Sequence, residues 1–149
     1  MTFSTSQKKP LARLFAVQAI FQMEASGQNL NNTKTEFEKY RVKTDIDGII
    51  YKGINVSYFR KILDTAIEHQ KNIDQKVNKS LMETWKLPRI DPTIRAIFRI
   101  ACSEFIIKET PSKVIINEYV KLAEAFSTND KQRGIVNAVL ENLAKQYKT

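Results

Sequence analysis

Apolar residues recur at steps of three and four along almost the whole chain, and only four glycines and four prolines punctuate its 149 residues. That spacing places apolar side chains on one face of successive helical turns, so the pattern predicts an all-α protein. With 42% hydrophobic and 27% charged residues, the balance is that of a globular domain. The length is enough to bury a core without disulfides or metal.

The first helix is expected from about Pro10 to Ala25, because proline suits a first helical turn, where its missing N–H costs nothing. Leu14, Val17 and Phe21 share a face there. SGQNLNN, residues 26–32, reads as a turn cluster. A second helical region is expected from Thr35 to about Tyr51, with Phe37, Tyr40, Ile46 and Ile50; Gly48 allows it to be two short pieces. A clearer stripe starts near Val56 and carries Phe59, Leu63, Ala66, Ile67, Ile73, Val77 and Leu81, with room for a break near Asn72. WKLPRIDP then separates the halves, and its Asp91 and Pro92 read as an N-cap and a first-turn proline. The helix they open carries Ile94, Ile97, Phe98, Ala101, Phe105 and Ile106. ETPS ends it, Ser112 is expected to cap the next helix, and STND is a further turn. Ile135, Val136, Val139, Leu140, Leu143 and Tyr147 mark the last helix. The count is six or seven helices in one bundle-like domain over residues 8–149, after a tail of residues 1–7 expected to be mobile. No linker, internal repeat or low-complexity tract is visible.

The residue types argue against catalysis. The single histidine, His69, lies in a helical pattern as IEHQK, where a solvated or capping side chain is the ordinary role. Cys102 stands among Phe98, Ala101 and Phe105 and reads as a small core residue, not as an activated thiolate. No Cys/His spacing suits zinc. No glycine-rich phosphate loop opens a helix, and Asp45 and Asp47 lack the other oxygen ligands of a calcium loop. The expectation is therefore no catalytic residue, no metal and no cofactor. MTFSTSQKKP has no apolar secretory core, and no apolar run is long enough to span a bilayer. A cytoplasmic protein without membrane partners is expected.

What remains is binding. A formal charge of +8 favours an anionic partner, and nucleic acid fits better than a membrane because no amphipathic stretch has a dense lysine face. In KKPLARLFAVQAIFQ, residues 8–22, Lys8, Lys9 and Arg13 can each reach phosphate, and a helix start adds N–H donors and a favourable dipole. Gln18 and Gln22 extend the same face and can hydrogen-bond bases or sugars. These residues leave two readings open, a solvated helix start and a polyanion site. TNDKQRG, residues 128–134, places Lys131 and Arg133 at a turn before the last helix, again either a second basic surface or a solubilising loop. Arg95 and Arg99, one turn apart, are expected to be solvated or salt-bridged.

ARLFAVQAIFQ, preceded by basic residues, resembles the N-terminal motif of the NusB family of bacterial transcription antitermination factors. PSKVIINEYVKLAEAF, residues 111–126, followed by IVNAVL, residues 135–140, resembles that family's C-terminal half. Between about residues 26 and 88 the similarity is in helical character and length only. The resemblance implies an all-α fold of about seven helices in two packed subbundles. It implies binding to single-stranded boxA-type RNA of ribosomal RNA leaders together with the ribosomal protein NusE. It further implies joining other Nus factors on RNA polymerase to suppress premature termination.

The resemblance also carries roles onto residues. Lys9 and Arg13 occupy basic positions that contact RNA, with Lys8 adjacent; Pro10 and Leu11 stand where relatives often have arginine, which thins the charge. Gln18 matches a family glutamine that faces RNA, and Lys113 is a phosphate contact. Asn137 matches a family asparagine, for RNA contact or for a helix-packing hydrogen bond. Ile135 replaces an aromatic found in many relatives. Toward NusE, Phe21 falls at an aromatic contact position and Ile94 where relatives can use an acid. Asp130 approximates an acidic position near that interface, in a loop one residue longer here. Asn117 and Glu118 match a structural INE. Two other classes remain open: an RNA-recognition domain of a ribosomal RNA cytosine methyltransferase, of which this chain would be a fragment, and a helical protein-interaction module that meets RNA only incidentally.

Overall fold

The computed structural model describes residues 5–38, 45–46, 49–50, 55–81, 90–126 and 130–148, with side chains for all of these except 5–8, 45, 46, 49, 50, 130 and 131. Seven helices stand among the described residues: α1 (Thr5–Ser26), α2 (Leu30–Glu36), α3 (Val56–Glu68), α4 (Gln70–Ser80), α5 (Pro92–Ile107), α6 (Ser112–Phe126) and α7 (Asp130–Tyr147). The expected all-α class holds. The chain divides into two compact units, residues 1–64 and 65–149. The division falls inside α3, so it has no linker composition to betray it.

In the first unit, α1 begins at Thr5, and Pro10 lies inside the helix, not in its opening turn as expected. Pro10 therefore leaves the carbonyl of Ser6 without its usual intrahelical donor. It also means that the free N–H groups of the helix start do not coincide with the Lys9–Arg13 stretch. The buried face of α1 consists of Ala12, Phe15, Ala16, Val17, Ala19 and Ile20, whereas Phe21, expected on that face, is 40% exposed. Gly27 ends the helix with a left-handed φ of 72° and donates its N–H to the Met23 carbonyl at 2.9 Å. Glycine adopts that conformation without the steric penalty of a Cβ.

The SGQNLNN cluster contains a helix start. Asn29 is the N-cap of α2, accepting from the Asn32 N–H at 2.8 Å, a geometry that asparagine favours. Past α2, Phe37 is fully buried. It stacks on Phe59 with ring centroids 6.0 Å apart and meets Phe15 edge-on at 6.4 Å. Burying a ring of this size stabilises by about 1.5–3 kcal/mol, so this trio ties α1, the end of α2 and α3 together.

The helical region expected from Thr35 to about Tyr51 is corrected. Asp45–Ile46 (β1) and Ile49–Ile50 (β2) pair antiparallel, with Asp45 opposite Ile50 and Ile46 opposite Ile49. Two isoleucines four apart satisfy a helical template, but β-branched residues also suit extended backbone, and a short segment cannot separate the two by spacing. Tyr40, Gly48 and Tyr51 lie outside the described residues. Helix α3 starts where Asn55 accepts from the Tyr58 N–H at 2.9 Å, and Phe59, Ile62 and Leu63 face inward.

In the second unit, the break expected near Asn72 occurs at His69, between α3 and α4. Ile73, Val77 and Leu81 are buried as the stripe predicts. Asp91 caps α5 by accepting from the Thr93 N–H at 2.7 Å, and Pro92 sits in the first turn. Helix α5 packs against α4, α6 and α7, and every residue from Ile94 to Phe105 is buried. Its polar side chains must then be satisfied internally. Arg95 donates to the Ile90 carbonyl at 3.3 Å, and Ser103 donates to the Ile100 carbonyl at 2.6 Å. Arg99 makes a forked pair with Asp74, at 2.9 and 3.0 Å. Tyr119 donates its hydroxyl to Glu104. The salt-bridged alternative for Arg99 is the one realised, but inside the unit. Lys108 closes α5 with a left-handed φ of 61°. Ser112 is the first helical residue of α6, not its cap; the Pro111 carbonyl accepts from the Val114 and Ile115 N–H groups.

Candidate nucleic-acid interface

The basic residues of α1 do not stand alone on the surface. Lys9 and Arg13 are four apart and share a helix face. Both lie within cation–π range of one ring, that of Tyr58 in the first turn of α3: the Lys9 Nζ is 4.8 Å and the Arg13 Cζ 5.7 Å from its centroid. Burial separates the two cations. Arg13 is only 4% exposed, while Lys9 is half-buried. Arg13, expected as a surface phosphate contact, is thus packed into the junction of α1 and α3. Guanidinium is the cation suited to this, being planar and more weakly hydrated than ammonium. The side chain of Lys8 lies outside the described side chains, as do those of Asp130 and Lys131.

Further along α1, Gln18 is half-buried, and its Oε1 is enclosed without a hydrogen-bond partner among the described residues. An enclosed acceptor left unmade costs free energy that a donor would recover. Gln22, expected on the same surface, is engaged within the unit: its Nε2 donates to Gln28 Oε1 at 2.8 Å and to Glu36 Oε2 at 2.9 Å. Phe21 stands out from α1 as an exposed aromatic.

The second unit carries the other predicted residues. Lys113 is exposed in the first turn of α6. Arg133 is half-exposed and Asn137 exposed, four apart on α7 and so on one face. Because α7 begins at Asp130, Lys131 and Arg133 are helical residues and not part of a turn. Ile135 is half-buried on the same helix. Ile94, expected toward a partner, is corrected: it is 2% exposed within α5 and has no surface to offer. Its place in the apolar period of α5 is the physical reason, since that period turns it into the core.

A pocket of about 480 Å³ lies elsewhere in this unit, where Lys108, Thr110 and Pro111 approach Lys145 and Tyr147. None of the binding residues predicted from sequence lines it. Cys102 is fully buried, and burial pushes its thiol well above the ordinary range, so it is protonated at neutral pH. His69 is exposed and makes no side-chain capping bond. No cluster of metal-ligating side chains occurs among the described residues. No helix among them is long and apolar enough to cross a membrane.

Tyr58 is the residue that sequence reasoning missed. Its signal was slight: an aromatic beside Phe59, three residues after a capping asparagine. Nothing in a linear pattern tells that its ring reaches residues 45 or more positions upstream.

Comparison with known proteins gives these features a family. The NusB family model matches residues 10–145, which includes the middle stretch where the sequence motifs were silent. The chain is 37% identical over 144 residues to the transcription antitermination protein NusB of Mesorhizobium japonicum, spanning 96% of this chain and 92% of that protein. It is 40% identical over 141 residues to the corresponding Brucella abortus protein, spanning 94% and 82%. Among solved structures, NusB of T. maritima superposes with a TM-score of 0.76 at 23% identity, covering 98% of this chain and 94% of that one. A chain from a crystal structure of the antitermination factors NusB and NusE with double-stranded RNA superposes with a TM-score of 0.75 at 22% identity, covering 94% and 98%. At those identities the structural likeness speaks to the fold, while the sequence matches along nearly the full length place this chain in the NusB family.

Proposed function

We propose that this chain is a transcription antitermination factor that binds boxA-type RNA of ribosomal RNA leaders together with NusE and joins RNA polymerase antitermination complexes. The observation that carries the reading is the 37% identity to an antitermination protein over 96% of this chain and 92% of that relative. The chemistry agrees with it. The protein acts by binding, in the cytoplasm, through its excess of positively charged residues. Lys9 is the half-exposed cation of α1, and Lys113, Arg133 and Asn137 stand on α6 and α7; Lys8 and Lys131 add formal charge to α1 and α7. Gln18, half-buried on α1, is the family-matched glutamine expected to meet the RNA. Phe21 is the exposed apolar anchor for NusE, with Asp130 as an acidic contact. Unpaired RNA exposes base edges to such side chains, and phosphate contacts supply the salt-dependent part of affinity.

Fluorescence anisotropy with labelled boxA RNA and a scrambled control tests the reading, with the protein alone and with NusE at two salt concentrations. Tighter, sequence-selective binding in the presence of NusE is expected. Equal binding of both RNAs, indifferent to NusE, would leave only a basic helical protein.

A further inference from the structure

The reading above treats Lys9 as a phosphate contact; the structure adds what holds it ready. We propose that Tyr58 is a positioning residue of the RNA-binding face: its ring orders the Lys9 ammonium at the α1 surface while Arg13 secures the ring from within. The inference rests on the RNA-binding reading and goes beyond it by assigning a residue on a different helix.

Three observations carry it. Both cations lie within cation–π distance of the one ring, Lys9 at 4.8 Å and Arg13 at 5.7 Å. Tyr58 is only 5% exposed. A base cannot stack on a ring so covered, so any contribution to RNA binding passes through the side chains that the ring touches. The ring's own position is set locally. Asn55 accepts the Tyr58 N–H at 2.9 Å and so starts α3 at Val56, which puts Tyr58 in the first turn, facing α1.

The cations divide the work by burial. Arg13, 4% exposed, fills the junction and has no open path to a phosphate. Lys9 is half-buried, with its Nζ 4.8 Å from the ring centroid, so of the two cations it is the one that retains solvent exposure. A free surface lysine samples many rotamers and loses that freedom when a phosphate captures it. A ring contact at 4.8 Å restricts those rotamers before RNA arrives. The ring also leaves the ammonium's charge intact, because a π face attracts a cation without neutralising it, whereas a carboxylate partner would cancel the field that attracts RNA.

A double-mutant cycle on the full chain, with NusE and boxA RNA, tests this. Lys9→Ala, Tyr58→Leu and the pair are compared by anisotropy over a salt series, with circular dichroism to verify the fold. Tyr58→Leu is expected to weaken RNA binding about three- to tenfold in the wild-type background and to add little once Lys9 is alanine. Lys9→Ala is expected to reduce the salt slope by about 0.7, one phosphate contact. Tyr58→Phe, which keeps the ring, is expected to bind like wild type. Equal losses from Tyr58→Leu in both backgrounds would reduce the ring to general support of the fold and overturn the inference. If Tyr58→Leu does not fold, the wild-type protein still decides: the Lys9 methylene protons beside the ammonium are expected upfield of their ordinary NMR position through the ring current, and an ordinary position overturns the proposal. Failure of the wild-type protein to bind boxA RNA at all would instead sink the functional reading, and the inference with it.

Discussion

Arg99 of α5 and Asp74 of α4 meet side by side, Nε to Oδ1 at 2.9 Å and Nη2 to Oδ2 at 3.0 Å. The Arg99 side chain is 11% exposed and that of Asp74 25%. A forked pair this well enclosed orients both helices, and removing one partner strands the other in a poorly solvated position. Arg99→Ala is expected to lower stability by about 2–4 kcal/mol in urea denaturation. Asp74→Ala combined with Arg99→Ala is expected to cost less than the sum of the single losses. Additive losses would show that the two side chains contribute separately.

Arg13 and Lys9 are both basic residues of α1, yet their substitutions are expected to part ways. Arg13→Ala removes a buried side chain from the α1–α3 junction and should cost about 1–3 kcal/mol, through lost packing as well as lost charge. Lys9→Ala should change stability by no more than about 0.5–1 kcal/mol, since it forfeits one half-exposed cation–π contact. Thermal or chemical denaturation of the two variants separates them, and equal losses would contradict the burial difference.

Phe21 and Ile94 were both expected to face NusE, and the structure divides them. Phe21→Ala is expected to leave the unfolding midpoint nearly unchanged and to weaken NusE binding about tenfold, as for an apolar anchor leaving an interface. Ile94→Ala opens a cavity in α5 and is expected to cost about 2–5 kcal/mol of stability, with NusE affinity unaltered in the folded fraction. Calorimetric titration with NusE beside denaturation curves reads both. A stable Ile94→Ala protein with weakened NusE binding would reverse the assignment.

Cys102 gives a pH dependence of known sign. Burial raises its pKa in the folded chain above its ordinary 9.0, so both folded and unfolded chains keep the proton at neutral pH and no stability is lost there. As pH rises past about 9, the unfolded chain releases that proton and the folded chain does not. The folded state then binds more protons, and stability falls with rising pH, by at most ~1.4 kcal/mol per pH unit for one such group. Cys102→Ala is expected to flatten the alkaline side of a stability–pH curve. The same burial predicts slow alkylation by iodoacetamide until the protein unfolds; rapid labelling of the native chain would contradict it.

The legibility of the chain followed the range of its interactions. Asp91 and Pro92 announced the start of α5 because a cap and a first-turn proline act within one turn. The stripe through Ile73, Val77 and Leu81 was readable because burial of one helix face repeats every three to four residues. The error at Pro10 has a local cause too: first-turn placement is proline's preferred helical site, and only the surrounding structure could extend the helix upstream. Ile46 and Ile50 fit a helical period and form strand pairs instead, since two residues cannot express a period.

By itself, then, the sequence determined the helical class, the apolar faces, the excess of positive charge and the motifs that tie both ends of the chain to the NusB family. These depend on residue type and spacing, which are properties of the chain before it folds. Only the tertiary structure decided that Arg13 is enclosed and Lys9 is not, that Ile94 lies in the core while Phe21 stands outside, and that Tyr58 meets both cations of α1. Those outcomes depend on which distant segment covers each helix face. Residues 9 and 58 come into contact where α1 and α3 also share the aromatic cluster of Phe15, Phe37 and Phe59.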